Sequence, residues 1–125
     1  MVTGGSAGIG LGICAHLLQH NAEKIYMLSN KADHAHETIE ELADWGNTSK
    51  IIKKKCDFKE LKQVRSIGEE LAKLPQINAL SCNAGLGVGV YNESIDGINT
   101  LMQVNVFAQN MIVGMLLPVL FRTPN

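Results

Sequence analysis

The sequence predicts an α/β fold, a doubly wound parallel sheet of about four strands with flanking helices, shortened at both ends and carried by one domain over residues 1–125. Three observations predict it. Gly4, Gly8 and Gly10 stand between a short extended stretch, Met1–Thr3, and an apolar helical pattern. Strand-like and helical runs then alternate along the chain. The run Ile77–Cys82 is apolar apart from Asn78 and Ser81, as suits a parallel strand covered on both faces.

Composition narrows the function classes. Hydrophobic residues make up 46% and charged residues 18% of the 125, which suits a packed core and excludes a disordered chain. A net charge of −1 offers nothing to a nucleic acid. The cysteines Cys14, Cys56 and Cys82 are odd in number and lack metal-ligand spacing, so they read as reduced, mostly buried thiols of a cytoplasmic protein. The glycine turn stands where a secretory signal would carry its charged region. The apolar run Met111–Phe121 contains Gly114 and Pro118 and falls short of the roughly 20 residues that span a bilayer, so a buried helix is expected there rather than a membrane span.

The first strand has only Met1, Val2 and Thr3 before the turn, which points to a late start or a damaged central strand. A first helix is expected from about Gly8 to His20, facing the core with Ile9, Ile13 and Leu17 and stopping at Asn21. Lys24–Leu28 reads as the second strand. Asp33 is placed to cap a second helix, whose Ala35, Ile39, Leu42 and Ala43 share a face, with Gly46 at its end and Trp45 covering core. His34 and His36, two apart on a helix, point to different faces and make no metal site. Lys50–Cys56 reads as an edge strand guarded by Lys53, Lys54 and Lys55. Leu61, Val64, Ile67, Leu71 and Leu74 form a helical stripe that Pro75 ends. After a Gly- and Val-rich loop at Leu86–Tyr91, a long helix covers about Ile98–Leu117, with Ser94 or Asp96 as its start.

The glycine turn carries the chemistry. Its spacing is G-x-x-x-G-x-G, and such a turn lets backbone approach a diphosphate while the next helix aims its free N–H groups at the oxygens. A plain turn uses glycines in the same way. No Lys follows, which excludes the phosphate loop of nucleotide triphosphatases. Asn83-Ala84-Gly85, at the carboxyl end of the fourth predicted strand, would face a ligand bound there, or make a simple Asn/Gly turn.

Several segments resemble the short-chain dehydrogenase/reductase family. Thr3–Gly10 is similar to its T-G-x-x-x-G-I-G signature, Cys82–Gly85 to its N-N-A-G with Cys in the first Asn position, and Val104-Asn105 to its V-N; Asp57 follows a strand as the family's adenine-contacting Asp does. The resemblance covers the whole chain but only the front half of a classical member. It implies a Rossmann-like fold that binds a nicotinamide dinucleotide and moves hydride between it and a small-molecule carbonyl or alcohol. Cofactor contacts would come from Thr3, Gly4, Ser6, Gly8, Ile9, Gly10, Asn30, Lys31, Asp57, Phe58, Asn83, Ala84 and Gly85. Asp57 would accept from the adenine amino group, and it is also placed to cap the next helix. With no acid at Ser29-Asn30 and Lys31 just beyond, NADP is favoured over NAD, although family members often carry Arg where Asn30 stands and Lys31 is equally readable as a solvated loop residue.

The same resemblance makes Asn105 the catalytic Asn that anchors a water in the family's proton relay, with Ala108 where a Gly is usual. It also implies that the long helix pairs with a symmetry mate through residues such as Leu101, Met102, Phe107, Met111 and Met115, which equally suit an internal core. The family's Ser, Tyr and Lys belong to a later segment. Here Tyr26 is followed at the Y-x-x-x-K spacing by Asn30, and Tyr91 by Ile95. Two readings follow: the cofactor-binding half of a reductase, or an inactive remnant that at most binds nucleotide or dimerises.

Overall fold

The computed structural model of the chain describes residues 1–30 and 35–124. They form two compact units: Met1–Lys55 with Ser81–Asn83, and Cys56–Leu80 with Ala84–Asn125.

The first unit runs β1 (Val2–Thr3), α1 (Gly8–Gln19), β2 (Ile25–Ser29), α2 (Ala35–Ala43), a single 3-10 turn (Thr48–Lys50) and β3 (Ile51–Lys55). The sheet is parallel, in the order β1-β2-β3. Val2 pairs with Met27 and Thr3 with Leu28; β2 and β3 pair from Ile25 with Ile51 through Ser29 with Lys55. The lysines therefore do sit on an edge strand. On the other side of β1, Ser81 bridges Val2 in parallel: the Thr3 N–H donates to the Ser81 carbonyl at 3.0 Å, and the Ser81 N–H to the Met1 carbonyl at 2.9 Å. Among the described residues the expected count of about four strands is thus corrected to three and one parallel bridge, because a two-residue β1 has little edge to pair with. The bridge is enough to reverse the order of the sheet about β1, and such a reversal is where open α/β sheets bind ligands.

The core of this unit joins Val2, Ile25 and Met27 of the sheet to Leu11, Cys14 and Leu18 of α1 and Leu42 of α2. Of the expected face, Ile13 and Leu17 pack against this core and Ile9 does not. Ile9 is 79% exposed, and Leu11, Cys14, Ala15 and Leu18 face inward. Apart from His16 and Gln19 the helix α1 is apolar, so its sequence holds two candidate faces at helical spacing. Asn21 ends it in the left-handed region at φ 58°. On α2, Leu42 and Thr38 are buried, Ile39 is half-buried and Ala43 is exposed. Trp45 is 46% exposed, a correction, since Gly46 with φ 155° turns the chain tightly over Leu18 and leaves the indole outside. Lys31, Asp33 and His34 lie outside the described residues.

The second unit holds α3 (Leu61–Leu71) and α4, a 23-residue helix over Thr100–Arg122. Val64, Gly68 and Leu71 are the buried face of α3. A Cβ on Gly68 would come within 2.5 Å of the Met115 sulfur, so glycine lets the two helices close on one another. Alpha4 starts at neither Ser94 nor Asp96: Asn99 is its N-cap, accepting from the Met102 N–H at 3.1 Å. It also runs past Leu117 to Arg122, which donates to the Ala72 and Leu74 carbonyls at 3.2 and 2.9 Å. By length and composition alone α4 is long and apolar enough to cross a membrane, a test that the core helix of a soluble protein also passes. Ala108, Ile112, Leu116 and Val119 are buried, as expected of a core helix. Gln103–Phe107 forms a π turn, closed by the Ala108 N–H on the Gln103 carbonyl.

Candidate functional site

In the first unit the site is the turn from Thr3 to Gly10. Gly4 and Gly8 lie at φ 64° and 53°, the left-handed region that costs an L side chain about 1–2 kcal/mol. Gly10 has a different reason. A Cβ there would stand 2.2 Å from the Gly4 carbonyl oxygen and 2.6 Å from the Asn83 side-chain nitrogen. The first turn of α1 is therefore pressed onto the glycine turn, and only hydrogen fits between them.

Asn83 fastens this turn. Its backbone N–H donates to the Thr3 hydroxyl at 2.9 Å, and its side-chain Nδ2 donates to the Thr3 and Gly4 carbonyls at 3.2 and 3.3 Å. Thr3 is fully buried. The hydroxyls of Ser6 and Ser29 share a hydrogen bond of 2.7 Å, which ties the turn to the end of β2. The Gly5 N–H donates to the Leu28 carbonyl at 3.2 Å. Ala7 is the N-cap of α1 and has no side-chain polar group to cap it, and the first turn carries no acid. The helix thus presents N–H groups and the positive end of its dipole beside the turn, an arrangement suited to an anion. Ile9 and Asn30 are exposed; Lys31 is outside the described residues.

The second unit holds Asp57, Phe58, Ala84, Gly85 and Asn105. Asp57 is not the N-cap of α3. Its Oδ1 accepts from the Lys59 N–H at 2.9 Å and its carbonyl from the Glu60 N–H at 3.1 Å, forming a turn ahead of the helix, while its own N–H donates to Gln63 Oε1 at 3.0 Å. Phe58 is buried. Asn105 is exposed on the π turn, where its Oδ1 accepts from the Leu86 N–H at 2.7 Å and its Nδ2 donates to the Leu86 carbonyl at 2.9 Å. Two glutamines were not singled out from the sequence. Gln109 donates to the Ala84 carbonyl at 2.5 Å, and Gln103, fully buried, donates to the Phe58 carbonyl at 3.2 Å. The available signal was four amides, Gln103, Asn105, Gln109 and Asn110, in a mostly apolar helix.

The buried thiols are poor nucleophiles. Burial pushes Cys14 up to about 11, and burial with the neighbouring Asp57 charge pushes Cys56 up to about 12. Cys82 is exposed, against the expectation of mostly buried thiols, yet desolvation still raises its pKa. The two buried thiols, Cys14 and Cys56, are held in the unreactive protonated form.

The family model for short chain dehydrogenases matches residues 1–125. The chain belongs to the short-chain dehydrogenase family. It is 30% identical over 126 residues to the rhamnolipids-biosynthesis 3-oxoacyl-[acyl-carrier-protein] reductase of Pseudomonas aeruginosa, a match covering 98% of this chain and 48% of that protein. It is 25% identical over 127 residues to the short-chain dehydrogenase/reductase tropG of Talaromyces stipitatus, covering 96% of this chain and 39% of that one. Among solved structures, the RhlG/NADP active-site complex of Pseudomonas aeruginosa superposes with a TM-score of 0.76 at 27% identity, over 99% of this chain and 48% of that chain. A short-chain dehydrogenase from Sphingobium yanoikuyae in complex with NADPH shares the fold, with a TM-score of 0.77 at 18% identity over 94% of this chain and 46% of that chain. This member of the short-chain dehydrogenase family spans less than half the length of the curated relatives it matches.

Proposed function

We propose that this chain binds NADP(H) and is the cofactor-holding part of an oxidoreductase acting on a small-molecule carbonyl or alcohol. The observation that carries the reading is the contact of Gly10 with the Gly4 carbonyl and Asn83. It braces a turn that has glycine at positions 4, 5 and 8 beside an uncapped helix N-terminus, and a diphosphate fits that chemistry. Gly4, Ser6, Gly8, Ile9 and Gly10 would hold the diphosphate side; Thr3 and Asn83 act through the turn. Asn30 and Lys31 would meet the adenosine ribose and its extra phosphate, Asp57 and Phe58 the adenine, and Ala84 and Gly85 the ribose. The NADP complexes among the related structures support NADP over NAD.

When bound, the nicotinamide supplies the hydride chemistry. Asn105 would contribute to a proton relay through its place on the π turn, since such turns recur at functional sites. No Tyr in the 125 residues has Lys four positions on, so the chain by itself is expected to bind without turning over. A reducing, cytoplasmic setting fits the three free thiols. An exposed apolar strip on α4, including Val106, Leu117 and Phe121, supports pairing with a second copy.

Titration of the purified chain with NADPH, followed by the cofactor's fluorescence, tests the reading. Saturable binding, weakened at least tenfold by Gly4→Val, is expected. Absence of binding by a folded chain would overturn it. Sedimentation of wild type against Leu117→Glu tests the pairing, which fails if both are monomers.

A further inference from the structure

Gln103 is buried completely, and all its hydrogen-bonding directions lead to one place. One amide group donates to the Phe58 carbonyl at 3.2 Å and to Asp96 Oδ2 at 2.8 Å, and its Oε1 accepts from the Ser94 hydroxyl. Asp96 Oδ2 also accepts from the Leu61 N–H at 2.9 Å, the first residue of α3. The Ser94 hydroxyl in turn accepts from the Asp96 N–H at 3.1 Å. The backbone from Asp57 to Leu61 is thereby pinned at Phe58 and Leu61 by one amide and one carboxylate. Asp57 is held by Gln63 at its N–H and by the Lys59 N–H at Oδ1, and among the described residues no hydrogen bond takes its second carboxylate oxygen, which can accept from a ligand.

A buried amide of this kind needs every partner, because each unmet group would cost about 1–3 kcal/mol. Packing alone would be met by an apolar side chain of the same length. What Gln103 adds is direction: it fixes the orientation of the Phe58 peptide, next to Asp57. We propose that Gln103 is a positioning residue for recognition of the adenine base, setting the Asp57–Phe58 backbone through the Phe58 carbonyl and through Asp96. The proposal rests on the reading of Asp57 as the partner of the adenine amino group.

The test compares NADPH with its hypoxanthine analogue, in which a carbonyl replaces the 6-amino group. Wild type is expected to bind NADPH about tenfold more tightly than the analogue, as one hydrogen bond to a charged acceptor allows. Gln103→Met keeps the volume and removes the hydrogen bonds, and the ratio is expected to fall to about two or less. Asp96→Ala, at an exposed position, serves where Gln103→Met does not fold, and should lower the ratio in the same direction. A folded variant that weakens both ligands together and keeps the wild-type ratio overturns the proposal and leaves the Asp57 reading standing. Equal binding of both ligands by wild type overturns the Asp57 reading, and this proposal with it. No binding of either overturns the proposed function.

Discussion

Asn105 holds Leu86 by both of its backbone polar groups, accepting from the N–H at 2.7 Å and donating to the carbonyl at 2.9 Å. The pair joins the π turn to the start of the loop that follows Gly85. Asn105→Ala removes both bonds at an exposed position, so a loss of about 1 kcal/mol is expected, less than for a buried amide. Hydrogen exchange at the Leu86 amide is the direct measurement. Its protection should vanish in the variant, and unchanged protection would contradict the role given to Asn105.

Gly10 and Gly12 lie two residues apart on α1 and should respond oppositely to alanine. The added Cβ at Gly10 meets backbone, the Gly4 carbonyl at 2.2 Å, and backbone cannot rotate away; a loss of about 1–3 kcal/mol is expected. At Gly12 the Cβ meets nothing within 4 Å, and the residue is inside a helix, so Gly12→Ala should gain about 0.5–1 kcal/mol. Urea unfolding midpoints on the two variants decide the matter. A destabilised Gly12→Ala would show that α1 packs differently.

The buried thiols set an alkaline limit. Folding raises Cys14 to about 11 and Cys56 to about 12, both above the ordinary thiol value of 9.0. Above about pH 9 the unfolded chain sheds those protons while the folded chain keeps them. Their contribution is therefore complete below that pH and is lost as pH rises toward 11 and 12, by at most about 1.4 kcal/mol per pH unit for each thiol. Unfolding midpoints at pH 8 and pH 10 should differ more in wild type than in Cys14→Ala with Cys56→Ala. A thiol reagent should modify Cys82 first and the other two only on unfolding.

Beta3 is an edge strand, and its pairing to β2 runs through Lys53, Lys54 and Lys55. Lys55 is exposed at its end. Lys55→Ile removes charge from an open ladder, and faster aggregation is expected on warming, read by light scattering at equal concentration. Equal rates would mean that the edge is protected by something other than charge.

The glycine turn was legible because its residues have no substitute: left-handed backbone at Gly4 and Gly8, and zero clearance at Gly10, leave one residue type. The stripe of α3 was legible for a similar reason, since Val64 and Leu71 alternate with charged neighbours and offer one apolar face. Alpha1 offered two, and the choice of Leu11 and Cys14 over Ile9 depended on the sheet beneath it. The fourth strand failed because pairing depends on the partner's length, which an apolar run at Ile77–Cys82 does not record. The π turn is one shifted backbone hydrogen bond, invisible in side-chain spacing, and it decides where Gln103 and Asn105 lead. Asn83 was legible as a loop residue; its grip on Thr3 and Gly4 was not.

That grip separates the making of the turn from its completion. Thr3 and Gly4 leave the ribosome well before the side chain that secures them, which comes 80 and 79 positions later. At about 5–20 residues per second, the interval is roughly 4–16 s. For that time the nascent glycine turn has its conformational freedom without its brace, and a dinucleotide arriving early would meet a wandering backbone. Translation speed, and any chaperone that shelters the first strand meanwhile, then bears on how much of the protein ever becomes able to bind.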